Sequence, residues 1–443
     1  MKRILMLVAT VLMLSILLSS CTIPFLPGNT PDTPDVPDTP DIPDTPGTPA
    51  EPIYYPVDPA SFGKADILYF CDDGSLLCTY NDKSLEDYEG VCVFYKNDGY
   101  TVYSSNDMGG NLATTLVKDE AMAHVYWHSK TGELNIVTSA TAGASLPVAN
   151  PEVTDGDYEC TVVQMQDTIR ENGMGYIIQL KDGSYIVYDG AYSHQADKIE
   201  SYLLSNYKGE GKPIIRAWVL THSHDDHTPT FSTLSNRADK FVVENIIVAP
   251  MNDEVYAPRN NEEKYLPTTF YTDAAKFEGA NIVFAHTGMT FKFCNLNMEI
   301  IYSPESYYKT TTDLGNFNNT SIVSRLYDDD YSALFNADVG IEGSTIIENL
   351  YGRYIESDMC QISHHGVEDV PLTYYDKVNA SILFYPCNRW LYDQTDRHYE
   401  ERKEMENWDC TKEILIAELG QYVRAWGTRF DKDAELSIPD YVK

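Results

Sequence analysis

The sequence predicts an α/β fold preceded by a small all-β module, and three observations carry that expectation. Between residues 53 and 150, short aromatic and β-branched runs alternate with Asn-Asp, Asp-Gly and Gly-Gly turns, at a spacing of roughly ten residues per strand. From residue 151 onward the pattern changes to apolar strands alternating with amphipathic helix. The third is a dense polar stretch, THSHDDHTPT at 221–230, placed at the end of the apolar run IIRAWVL. Strand ends of this kind are where open α/β sheets gather their chemistry.

Taken in order, residues 1–20 open with Lys2 and Arg3, continue apolar from Ile4 to Leu18, and end in Ser19-Ser20 before Cys21. The run is too short for a permanent membrane span and resembles a bacterial lipoprotein export signal. That resemblance implies a lipidated Cys21 and a place on the bacterial cell surface, outside the cytoplasmic membrane; an ordinary secretory signal is the alternative. Residues 21–52 follow as a Pro/Asp-rich stalk, PDTPDVPDTPDIPDTPGTP at 31–49. Proline at that spacing holds polyproline II, and Pro27 to Pro52 would reach about 80 Å at ~3.1 Å per residue.

The chain has 443 residues and a formal net charge of −35. Such a surface repels polyanions and offers no electrostatic footprint for nucleic acid, whereas it attracts divalent cations. The nine cysteines are Cys21 and eight others with no CxxC pair. Outside the cytosol these eight permit disulfides, and several in apolar runs read equally as buried free thiols.

In the module at 53–150 the expected strands are ADILYF, GVCVFYK, YTVYSS, HVYWHS and LNIVTS. His124 and His128 fall in one of them and read as structural. ANPEVTDGD at 149–157 marks a boundary. In 151–443, YECTVVQM, YIIQL and SYIVYDG read as strands, HQADKIESYLLSNY as a helix and IIRAWVL as a buried strand.

His222, His224, Asp226 and His227 have the spacing H-x-H-x-D-H, which lets a tight loop turn two imidazoles to one side and a carboxylate with a third imidazole to the other. Nitrogen and oxygen donors so divided suit two adjacent divalent ions. This motif, the Asp189-Gly190 turn before it, Asp338 after the apolar Ala333-Leu334-Phe335, His364-His365-Gly366, and His398 in a later loop together resemble the metallo-β-lactamase superfamily of hydrolases. The resemblance runs from Tyr158 to about Ala425. It implies an αββα sandwich and two divalent ions, zinc first and manganese as the alternative. Asp338 would bridge the ions. His222, His224 and one of His364 and His365 would hold the first, and Asp226, His227 and His398 the second.

There are departures. Where many members carry a histidine, this chain reads NFNNTSIVSRLY, with Asn318 and Asn319; the nearby His286 reads as structural. The NN-x-S-x-V run with HHG resembles a narrower branch that includes the extracellular domain of DNA-uptake channels and the phosphorylcholine esterases. Asp-His is followed by Thr-Pro-Thr instead of the common Gly-Gly. The resemblance implies a water acidified between the ions, with Asp226, His364 and His365 as catalytic candidates and the histidine of the pair that is not a ligand serving the leaving group. Asp225 would meet a backbone or imidazole NH, and Arg389 and Trp390 would meet substrate or pack at the rim. The expected enzyme is a phosphodiesterase or phosphorylcholine-esterase-like hydrolase acting on small or cell-envelope substrates. A nuclease and a polysaccharide-binding protein with a structural metal site are the alternatives.

Overall fold

The computed structural model describes residues 63–71, 73–150, 158–166, 172–250, 253–256, 259, 263–311, 316–367, 370–392 and 412–430. The export-signal-like segment, the stalk, His398 and Cys410 lie outside these residues. All the described residues fall in one unit, Pro49–Lys443, and among them no helix is long and apolar enough to cross a membrane.

The first sheet contains β1 (Ile67–Phe70), β2 (Leu76–Tyr80), β3 (Thr101–Met108), β4 (Asn111–Lys118), β5 (Ala121–His128) and β6 (Glu133–Ser139). Its order is β1-β2-β6-β5-β4-β3, antiparallel throughout. The expected strand GVCVFYK is instead part of a helix, α1 (Leu85–Asn97). Tyr88, Val91, Cys92 and Tyr95 fall at helical spacing and are buried against the sheet. Ser84 accepts from the Asp87 amide while Asp87 accepts from the Ser84 amide, a reciprocal cap that starts the helix.

Two further sheets form the sandwich. One contains β7 (Thr161–Gln164), β8 (Gly175–Gln179), β9 (Tyr185–Asp189), β10 (Ile214–Leu220), β11 (Val242–Val243), β12 (Asn245–Val248), β13 (Asn281–Phe284) and β21 (Tyr422–Ala425). The other contains β14 (Thr290–Phe293), β15 (Leu296–Tyr302), β16 (Val323–Tyr327), β17 (Ser332–Phe335), β18 (Met359–Gln361), β19 (Ile382–Tyr385) and β20 (Glu413–Ile416). Their orders are β13-β12-β10-β9-β8-β7-β21, with β11 also pairing β10, and β14 through β20 in sequence. The strands that carry the chemistry are parallel: β9, β10, β12 and β13 in one sheet, β17 to β20 in the other.

The sheets meet face to face. Tyr188 stacks on Phe335 with centroids 4.2 Å apart, and its hydroxyl bonds Ser324 Oγ at 2.7 Å. On the outer faces, α2 (Ala196–Asn206) and α3 (Pro229–Ser235) cover the first sheet of the sandwich, with Phe231 edge-on to Trp218. On the other, α4 (Ile341–Tyr351) and α5 (Leu372–Val378) bury Ile347 and Tyr374, whose hydroxyl donates to Asn336. This is the expected αββα layering.

The N-terminal sheet shares its core with the sandwich: Met108, Ala113, Met122 and Tyr126 lie in the same buried cluster as Phe291 and Met298. Gly288 makes the approach close. A β-carbon there would come within 2.7 Å of Ala113 Cβ, and its φ of +91° suits glycine alone. The three histidines read as structural are all buried. His124 Nε2 faces Thr287 O at 2.9 Å and its Nδ1 faces Thr115 Oγ1 at 2.9 Å. His128 lies 3.5 Å from Glu133, which Lys309 also meets. His286 lies between Asp73 at 3.9 Å and Glu305 at 3.5 Å. Among the described cysteines, Cys78, Cys92, Cys160, Cys294 and Cys360 are free thiols.

Candidate metal centre

Four strand ends converge. Asp189 closes β9, the loop from Thr221 to Thr228 leaves β10, Asp338 follows β17, and Ser363 to Gly366 follow β18. The backbone at these points is held in uncommon conformations: Asp189, Ala191, Ala337, His364 and His365 all have positive φ, between 44° and 61°. Left-handed non-glycine residues are strained, and such strain persists where the surroundings over-determine it, as at ligand sites. Gly190 keeps the loop from β9 close to α3, since a β-carbon there would meet Thr230 at 2.7 Å.

Asp338 stands in the middle. Its Oδ2 lies 3.1 Å from His227 Nε2, 3.4 Å from His365 Nε2, 3.9 Å from His222 Nε2 and 4.0 Å from His364 Nε2. Asp226 reaches His365 Nε2 at 3.0 Å and His227 Nε2 at 3.6 Å. On the other side His222 Nε2 and His224 Nδ1 are 3.0 Å apart. Two groups of metal-type donors result, Asp226-His227-His365-Asp338 and His222-His224-Asp338, with the aspartate common to both.

These residues fit a metal. Asp338 Oδ1 and Oδ2, His227 Nε2 and His365 Nε2 are buried and make no hydrogen bond of acceptable geometry, despite their short separations. Donors about 2.1 Å from a tetrahedral ion stand about 3.4 Å from one another, so atoms converging at these separations have the spacing of ligands to a shared cation. Buried polar atoms without partners are costly, and an ion would satisfy them together.

Charge points the same way. Burial would raise Asp338, but the His227 and His365 charges hold it well below the usual carboxylate range. Burial would lower His365, yet Asp338 and Asp226 push it up to about 10. His227 is raised well above its ordinary value by Asp338, Asp226 and Asp189 against its own burial. The carboxylates therefore demand cationic charge. On the other side burial, then His227 and His224, keeps His222 well below its ordinary value, so its imidazole is neutral and ready to donate a lone pair.

Outer contacts aim the ligands. Asp189 Oδ2 accepts from His227 Nδ1 at 2.8 Å and its carboxylate also takes the Thr221 amide and hydroxyl. Pro386 O takes the Nδ1 hydrogen of His365 at 2.5 Å, which turns Nε2 inward. Ser321 Oγ accepts from the Asp338 amide, and buried Asn319 Oδ1 accepts from the amides of Gly340 and Gly343, fixing the turn after Asp338. In the sequence Asp189 reads only as part of a turn, and Asn319 as a departure.

Where the paired histidines were open, the structure separates them. His365 sits with Asp226 and His227, on the side expected for His398, which lies outside the described residues. His364 is a quarter exposed and near Asn318. Asp225 is exposed. Arg389 donates its amide to Glu418 and lies over Tyr392, and Trp390 is 63% exposed. Three residues the sequence did not single out adjoin His224: Phe317, with centroids 5.3 Å apart, Glu263, whose Oε1 is 3.7 Å from His224 Nε2, and Arg259 beyond them.

No family model matches the chain, and no curated protein does. Among solved structures, CmlA, a diiron β-hydroxylase from Streptomyces venezuelae, is 11% identical with a TM-score of 0.37, over 62% of this chain and 55% of that one. Zn²⁺-bound PqqB from Methylobacterium extorquens is 10% identical with a TM-score of 0.35, over 60% of this chain and 99% of that one. The chain thus spans about half the length of CmlA. Both likenesses are shallow, and the fold rests on the sheet order itself.

Proposed function

We propose that the chain is a metallo-β-lactamase-like hydrolase that uses two divalent ions, zinc first, to cleave phosphodiester bonds in small extracellular or cell-envelope substrates. The carrying observation is the buried Asp338 shared by two donor groups. His222 and His224 would hold one ion with Asp338, and Asp226, His227 and His365 the other. Two ions held there would supply Lewis acidity and acidify a water.

The protein's own groups then divide the work. Asp189 and Pro386 O lock the tautomers of His227 and His365, so that each Nε2 faces the centre. His364, partly exposed with Nε2 4.0 Å from Asp338, would serve the leaving group. The sandwich buries His222, His227, His365 and Asp338 and leaves His224 and Asp226 partly open to solvent. The net charge of −35 disfavours long polyanions and so weighs against a nuclease. A lipid anchor at Cys21 and the stalk would set this head above the bacterial surface.

Purified full-length protein is assayed on bis(p-nitrophenyl) phosphate and on a lactone panel, with and without chelator, alongside elemental analysis. Chelator-sensitive cleavage of the phosphodiester is expected. Cleavage of lactones alone would reassign the bond, and bound metal with no turnover would favour the binding-protein alternative.

A further inference from the structure

The flank of His224 carries a cation that the metal-centre reading leaves without a role. Arg259 lies over the ring of Phe317, its guanidinium carbon 4.8 Å from the ring centroid, and the same ring packs against His224. Tyr256 meets Phe317 edge-on at 5.8 Å. Glu263 Oε1 lies 3.8 Å from Arg259 Nη1 and 3.7 Å from His224 Nε2, so one carboxylate oxygen ties the guanidinium to a ligand histidine. Leu266 donates its amide to Ser223 Oγ, which fastens this segment to the His-rich loop.

We propose that Arg259 binds an anionic oxygen of the substrate beside the His222-His224 half of the centre, and that Phe317 and Glu263 hold its guanidinium in place. This rests on the hydrolase reading and names its substrate class, a small phosphodiester monoanion. Guanidinium carries five N–H donors suited to phosphoryl oxygens; here Nε donates to Val255 O, Nη1 faces Glu263, and the flat ring behind keeps the group from swinging. The Arg259 charge is offset by Glu263, so the site's net positive charge comes from the ions: two dications outweigh Asp338 and Asp226. An anionic ester reduces that excess of positive charge. A chain of phosphates would meet the repulsion of a protein carrying −35.

The test is calorimetric binding of diethyl phosphate and of neutral triethyl phosphate to the zinc-loaded full-length protein, wild type against Arg259→Gln and Arg259→Lys. Loss of a charge-assisted pair should weaken diethyl phosphate by at least about tenfold in Arg259→Gln and by less in Arg259→Lys. Triethyl phosphate binding and zinc content should stay the same. The proposal is overturned if Arg259→Gln binds the anion as tightly as wild type. It is equally overturned if wild type does not prefer the anion to the neutral ester, or if the substitution strips zinc, which would make Arg259 a structural support. Hydrolysis is measured separately. Arg259-dependent anion binding without any phosphodiester cleavage would remove the proposed reaction and leave the anion site standing.

Discussion

His227 Nε2 lies 3.1 Å from Asp338 Oδ2, both side chains are fully buried, and no hydrogen bond of acceptable geometry joins them. A pair so close and so poorly bonded is explained by a cation between or beside the two atoms. Because Asp338 belongs to both donor groups, Asp338→Ala should lower zinc occupancy on both sides and abolish turnover, whereas His224→Ala should weaken one side. Titration with zinc while following rate separates them: excess zinc should restore the histidine variant in part and the aspartate variant not at all. Near-normal activity in Asp338→Ala would remove the bridge and with it the two-ion reading.

Asp189 belongs to neither donor group and acts through His227 Nδ1. Asp189→Asn keeps the size but places an amide among the Thr221 hydroxyl, the Thr221 amide and the imidazole, so the tautomer that aims Nε2 inward loses its support. Zinc affinity on the Asp226-His227-His365 side should fall about 10–100-fold. Competition with a chelator of known affinity checks it, and an unchanged affinity would make Asp189 a turn residue only.

His365 occupies the side where the sequence reading placed His398. His365→Ala should therefore remove a ligand and weaken that ion by at least about the 10–100-fold that an outer partner costs, and His398→Ala, at the ligand the sequence expects for the same ion, should weaken it as well. Unchanged zinc affinity in His398→Ala would leave His365 alone in that place.

Local chemistry was legible in the sequence and long-range placement was not. H-x-H-x-D-H declared itself because its spacing alone determines which side chains a single loop turns together. The choice between His364 and His365 depended on Pro386 O, just past the end of β19, and on two consecutive left-handed residues, neither visible in the letters HHG. Arg259 and Phe317 are 58 residues apart and meet only in the fold. In GVCVFYK the β-branched and aromatic content favoured a strand. Helical spacing from Tyr88 to Tyr95 and the Ser84-Asp87 cap prevailed because they bury one face and satisfy the first-turn amides together.

The last prediction concerns the junction between the first sheet and the sandwich. His286 is buried with Asp73 and Glu305 on either side and His124 stacked 6.4 Å away. Burial would lower His286, but the two carboxylates raise it to about 9, against an unfolded value of about 6.5. The folded state thus binds this proton more tightly, and its contribution is fully present below about pH 6.5 and lost as pH rises through about 9. Asp73 and Glu305 are lowered from 3.8 and 4.5 despite burial, so their contribution is present above those values and lost as pH falls below them. Urea unfolding of chelator-treated protein should show wild type less stable at pH 9.5 than at pH 6, by up to roughly 3 kcal/mol from this group. His286→Gln should flatten that difference while costing about 3–5 kcal/mol at pH 6, because two buried carboxylates lose their counter-charge. Its zinc content should equal that of wild type. An alkaline loss identical in wild type and variant would place the titration elsewhere. Loss of zinc in His286→Gln would mean that the histidine missing near Asn318 has been found, and that His286 belongs to the metal centre after all.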